Sequence, residues 1–355
     1  MLIPPPNPST GSDAQRDPGA DSFPDNPILV RQRRGESVES VHRGAWALVD
    51  AAGKVIESVG AIDFPIYARS STKALQALPL FESGAAERYR FGTRDIALAI
   101  ASHSAELCHT EVVASVLRRL ELGVGDLQCG SQRPADPGAQ RTLDQNGDEP
   151  SAIHNNCSGK HAGFLALTLH LGDDVSRYLD PDCRSQRLVR AALMDMTGVA
   201  PRDLSVAVDG CSAPTFRLPL RDLATAFARF TSPSGLEPER RGACQAMMQA
   251  VALHPELIAG NHRKICTDIA RVSAGRLFPK VGAEAVYVLG EQGGERALAL
   301  KMDDGAGRGM HALLLHLMRR FGLAKANELE ALESWSGNPV RNWAGLEVGR
   351  MEIVD

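Results

Sequence analysis

The chain has 355 residues, 43% of them apolar and 23% charged, which excludes a disordered, collagenous or coiled-coil protein for the bulk of it. Its 39 Lys and Arg are outnumbered by 43 Asp and Glu, and a net charge of −4 argues against a surface built for nucleic acid or anionic membrane. No apolar run approaches the ~18 residues of a membrane-spanning helix.

The N-terminus, MLIPPPNPST, has neither the basic start nor the apolar stretch of a secretory signal. With seven cysteines, an odd number, this points to reduced thiols and a cytoplasmic protein rather than a disulfide framework. Residues 1–27 hold 7 of the 21 prolines, and their only aromatic is Phe23. Such a stretch cannot repay its ordering entropy and reads as a disordered tail. The domain proper then runs from 28 to 355.

From Ile28 the pattern is β. Segments 45–50 and 54–60 flank Ala51-Ala52-Gly53 as a hairpin. Helical spacing follows over 70–80, 93–101 and 111–122. Residues 130–156 are rich in Asp, Asn, Gln, Gly and Pro and read as a long loop. Helices return over 159–171, 184–197, 218–230 and 238–253, with a short strand at 205–209. Strands 283–289 and 296–302 enclose a Gly-rich turn, helices occupy 308–321 and 326–333, and 346–354 alternates like a strand. Strands at both ends and helices between them predict an α+β fold, in which the terminal strands share one antiparallel sheet and the central helices pack on it as a second lobe.

Five segments carry possible chemistry. In Ala68-Arg69-Ser70-Ser71-Thr72-Lys73, Ser70 and Lys73 share a helix face. A serine hydroxyl needs a base, and a lysine amine can be one when burial or a neighbouring cation lowers its pKa. The same spacing also suits a helix-capping serine with an exposed lysine. Ala101-Ser102-His103-Ser104 ends an apolar helix with two hydroxyls and an imidazole. Asn155-Asn156-Cys157-Ser158-Gly159-Lys160-His161 places a cysteine and a lysine three apart at a helix start, either as ligands or as a buried thiol and a cap. Val208-Asp209-Gly210-Cys211 ends a strand with a carboxylate and a thiol. Phe278-Pro279-Lys280-Val281-Gly282 puts a lysine on a strand, as a charged edge residue or as a site group. The chain has only seven lysines, so three of them within motifs carry weight.

In this order, the five segments resemble the rhizobial-type L-asparaginases, the asparaginase II family, from about Ile28 to the C-terminus. The Asn155-to-His161 run is the most specific. The resemblance implies a fold similar to serine β-lactamases and penicillin-binding proteins, and a homodimer. It implies two serine–lysine tandems, Ser70–Lys73 and Ser102–Lys280, and a zinc ion held by Cys157, Lys160 and Cys211. It implies Asp209 as the holder of the substrate's α-amino group and His161 as a further substrate residue, with Cys266 near the site. Arg69 would meet a substrate carboxylate or keep Lys73 neutral. The function implied is hydrolysis of L-asparagine to L-aspartate and ammonia. Alternatives are another serine acyl-transfer hydrolase of the penicillin-binding, β-lactamase or glutaminase kind, and a non-catalytic zinc-stabilised module.

Overall fold

The computed structural model describes residues 23–354. The tail read over 1–27 therefore lies outside the described residues except for its last five, of which Asn26 is buried. Phe23 meets the Phe64 ring edge-on, and the buried Asn26 side chain donates to Asp303 and accepts from the Ala61 N–H.

Eleven strands form two sheets. They are β1 (Ile28–Arg34), β2 (Ser37–Asp50), β3 (Val55–Val59), β4 (Pro65–Tyr67), β5 (Ser205–Val208), β6 (Pro214–Pro219), β7 (Leu277–Gly282), β8 (Val286–Glu291), β9 (Arg296–Met302), β10 (Val340–Arg341) and β11 (Glu347–Ile353). The large sheet has the order β10-β11-β1-β2-β9-β8-β7, with β3 also paired to β2. Every pairing in it is antiparallel, with Val30 opposite Ile353 and Gly44 opposite Met302. Both ends of the chain thus supply one antiparallel sheet, as the order of elements predicts.

The helices are α1 (Lys73–Glu82), α2 (Ala85–Arg88), α3 (Thr93–Ala99), α4 (Leu107–Arg119), α5 (Pro137–Asn146), α6 (Ser158–His170), α7 (Arg184–Thr197), α8 (Leu220–Thr231), α9 (Pro238–Leu253), α10 (Ile265–Val272), α11 (Gly307–Arg320) and α12 (Ala326–Ala331). Successive strand residues point to opposite faces, yet Ala297 to Met302 are all buried, so both faces of β9 are covered. Helix α8 lies against β2, β8 and β9, and α11 against β1, β9 and β11. The remaining central helices form the second lobe, with α1 packed on α6, α7 and α9, and α3 on α4, α6 and α9. No described helix is long and apolar enough to cross a membrane.

Three elements depart from expectation. Within the stretch read as a loop, Asp136 caps α5 by accepting from the Ala139 N–H, Pro137 takes its first position, and Gly147 ends it at φ +69°. Helix α10 is an eight-residue element whose single apolar stripe is too short to stand out by period. Of the second sheet, β4-β6-β5, only β5 is expected, as the short strand at 205–209; β4 has just three residues, and β6 runs into the start of the stretch read as a helix over 218–230. That small sheet positions part of the site.

Candidate active site

The chain leaves β4 along β6, the Ala68 N–H donating to Phe216 O. It then turns sharply, because Arg69 adopts φ +53°, a left-handed conformation that costs a non-glycine residue roughly 1 kcal/mol or more. A single 3-10 turn, Arg69–Thr72, precedes α1. Two of its hydroxyls are used structurally: Ser71 Oγ donates to Ala68 O at 2.7 Å and Thr72 Oγ1 to Arg69 O at 3.0 Å. Ser70 is half-buried, and its hydroxyl makes no hydrogen bond among the described residues. Of the three adjacent hydroxyls it alone is available for chemistry.

Lys73 opens α1 and is buried. Its Nζ donates to Ala101 O, to Ser102 Oγ at 3.1 Å and to Asn156 O at 3.4 Å, three acceptors for the three protons of an ammonium. Ser102 follows α3 and is tied by its N–H to Ile258 O. Its hydroxyl also lies 3.0 Å from the Nζ of Lys280, which reaches across from β7. One hydroxyl therefore bridges two lysines. Burial, and then the positive charge of Lys73, push Lys280 down to about 7. Strand β7 is pressed against the Ser70 turn: a Cβ at Gly282 would stand 2.7 Å from Ala68 O and 3.2 Å from the Ser71 N.

Cys157 precedes α6, Lys160 lies in its first turn, and Cys211 sits in the tight turn between β5 and β6, where Ser212 takes φ +69°. All three are buried, and Lys160 Nζ is 3.2 Å from Cys211 Sγ. Of the two thiols, Cys157 gives up its proton first. The hydrogen bond from Cys211 outweighs burial, and Lys73 and Lys160 add to it, while Cys211 is raised. Burial would lower Lys160, but the two sulfurs and Asp209 outweigh it and hold it up as an ammonium, so the set of two sulfurs and a lysine suits a borderline-soft ion such as zinc once Lys160 gives up its proton.

Asp209, on the same turn, accepts from Arg69 Nε at 2.7 Å. Burial alone would raise its carboxyl, but Lys160, the Gly210 N–H and Arg69 outweigh it and hold the carboxyl below the usual range. His161 is buried, and Tyr178 OH is 2.7 Å from its Nδ1. That phenol already accepts from the Gln128 N–H, so its own proton goes to His161. The imidazole's Nε2–H has no partner among the described residues. Burial, then Lys160 and Lys73, hold His161 well below its ordinary value, so it is neutral.

A sequence model of the L-asparaginase II family matches residues 30–353, nearly the whole described chain. The chain belongs to the asparaginase II family. Membership supports L-asparaginase activity, that is, hydrolysis of a small-molecule amide. Among solved structures, a beta-lactamase from Mycobacterium bovis matches at 14% identity and a TM-score of 0.43, covering 78% of this chain and 94% of that one. No curated protein matches.

In this asparaginase II family member, Lys73, Ser102 and Lys280 form one hydrogen-bonded group and Cys157, Lys160 and Cys211 a second. Asp209 is paired with Arg69, and Cys266 lies buried behind Lys280 with its thiol 3.5 Å from Tyr287 OH. Arg69, expected to meet a substrate carboxylate or Lys73, is paired with Asp209 in this structure. Lys280 has fewer acceptors than Lys73: its Nζ meets only Ser102 Oγ and Val281 O. Sequence reading missed the carbonyls of Ala101, Asn156 and Ile258 and the phenol of Tyr178. Backbone acceptors leave no trace in residue identity, whereas Tyr178 follows a run of polar residues and gives no periodic signal.

Proposed function

We propose that the chain hydrolyses the side-chain amide of L-asparagine to L-aspartate and ammonia, with Ser70 as nucleophile. The observation that carries this reading is the Ser102 hydroxyl bridging Lys73 and Lys280 at 3.1 and 3.0 Å. A hydroxyl between two amines can relay a proton of Lys73, and Lys280, held down to about 7, has its amine free to accept one in a sizeable share of molecules near neutrality. When that proton moves through Ser102 to Lys280, Lys73 becomes a neutral amine one turn after Ser70. Lys73 then takes the Ser70 proton as Oγ attacks the amide carbon. The positive end of the α1 turn and backbone N–H groups near Ser70 favour the oxyanion. As the C–N bond breaks, the proton held at Lys73 passes to the leaving nitrogen and ammonia departs. Water attacks the aspartyl ester and gives a proton to Lys73, which passes it to Ser70 Oγ as the ester C–O bond breaks and aspartate leaves.

Asp209 offers a carboxylate to the substrate's α-ammonium, and Arg69, released from it or shared with it, meets the α-carboxylate. The neutral His161 presents its Nε2–H to a bound group. Zinc would be held by Cys157, Lys160 and Cys211; when bound it supplies positive charge beside the substrate and an ordered α6 turn. A homodimer in the cytoplasm fits the resemblance and the seven unbridged cysteines.

The test is ammonia release from L-asparagine and L-glutamine by the purified protein and its Ser70→Ala variant. Release from asparagine that vanishes in the variant is expected. Release from neither amide, or a variant with wild-type kcat, overturns the reading.

A further inference from the structure

Away from the lysine pair, Glu106, Cys108 and His109 bring a carboxylate oxygen, a thiol and an imidazole nitrogen within 4.8 Å of one another. His109 Nδ1 is 3.8 Å from Cys108 Sγ. In a tetrahedral site, Zn–S of about 2.3 Å and Zn–N of about 2.0 Å set a sulfur-to-nitrogen edge of roughly 3.5 Å, so a small rotation of the thiol closes the difference.

The imidazole is already oriented for such a role. Its other nitrogen, Nε2, lies 3.1 Å from the backbone carbonyl of Glu256. A carbonyl only accepts, so Nε2 carries the proton and Nδ1 turns its lone pair to Cys108. Metal-bound imidazoles are held in this way, the far N–H donating to a carbonyl or carboxylate. The carboxylate is also fixed. Glu106 Oε1 accepts from the Asn261 N–H at 2.7 Å and from Ser104 Oγ at 3.0 Å, and Oε2 from the Asn261 side chain at 2.8 Å. Oε1 is thereby filled, while Oε2 keeps one lone pair. Glu106 and Cys108 are half-buried, so an ion reaches them from solvent, and the Glu256 carboxylate adds to the negative field at the thiol.

We propose that Glu106, Cys108 and His109 form a second metal site for a borderline-soft divalent cation such as Zn²⁺ or Co²⁺, with water completing the coordination. On binding, the Cys108 S–H proton is released to solvent and the thiolate takes the metal. The ion would pin the first turn of α4 to the loop carrying Asn261. It would also fix the His109 ring, on which His103, the neighbour of Ser102, is stacked at a centroid distance of 5.0 Å.

This site does not depend on the Cys157 group or on amide hydrolysis. The experiment is a Co²⁺ titration of the full-length protein and of Cys108→Ser, with bound cobalt counted per chain and thiolate-to-cobalt absorption recorded. Cys108→Ser is expected to bind one equivalent fewer than wild type and to lose the matching absorption. Equal binding and equal absorption in the two proteins overturn the site. The same titration on the Cys157→Ser/Cys211→Ser protein is expected to retain one thiolate-bound cobalt, and no thiolate absorption there also overturns it. Circular dichroism identifies a variant that has not folded, in which case Glu106→Gln is titrated against wild type with the same two outcomes.

Discussion

At the scale of single residues, chemistry rests on which hydroxyls and amines are already engaged. Ser71 and Thr72 spend their hydroxyls on the turn, and Ser70 does not. Replacing Ser71 by alanine is therefore expected to lower stability by about 1 kcal/mol and leave kcat near wild type, the reverse of Ser70→Ala; denaturant melts and ammonia assays separate the two. Lys280 sets the pH response. Below about 7 Lys280 is protonated and cannot take up a proton relayed through Ser102; above it its amine is free to do so. The rate kcat/KM is expected to rise with pH through about 7, as measured by ammonia release across a buffer series. Lys280→Arg, a cation that does not deprotonate, should lower kcat by roughly a hundredfold or more and abolish that rise. The charges facing Lys280 are Lys73, Lys160, Cys157 and Cys266, so Cys266→Ser is expected to move the rise only slightly. Ser70 and Lys73 were legible from their spacing, whereas the pairing of Ser102 with Lys280 came only from the family resemblance. The ion pair of Arg69 with Asp209 was not legible, since it follows from a left-handed arginine that no residue-type preference announces.

Between elements, close approaches decide where the side chains end up. Helix α6 crosses α3 so tightly that a Cβ at Gly159 would stand 2.3 Å from Leu98 O. Gly159→Ala is expected to cost at least about 1–3 kcal/mol. Because α3 leads to Ser102 and α6 carries Lys160, the variant should also lose both activity and zinc affinity, read by urea melts, assay and metal analysis. The Asn-rich stretch before α6 made a tight turn legible in the sequence. Its partner, the Leu98 carbonyl, lies sixty residues away and could not be inferred from one chain. Strand β5 was legible in the sequence, but β4 was hidden, since three residues cannot display a period; together they lead to Arg69 and Asp209, which pair.

For the whole molecule, the α+β plan was readable because strand-forming and helix-forming segments are segregated along the chain. Hydrophobic burial in the sheet and in the helical lobe is extensive. Chelation is accordingly expected to raise KM for asparagine and leave far-ultraviolet circular dichroism unchanged, whereas a protein folded around its metal would unfold. Cys157→Ala should reproduce the chelated state at the first site.

The register that sets Gly44 against Met302 and Val30 against Ile353 has a consequence for how the protein is made. During synthesis β2 can pair at once with β1 and β3, but its β9 side stays open until most of the chain has left the ribosome. Lys280, needed for the proton relay, belongs to the same late hairpins. Nascent chains thus carry an unpaired inner edge, the kind of surface that recruits other strands, and activity arises only with the last strands, at the moment that edge is sealed.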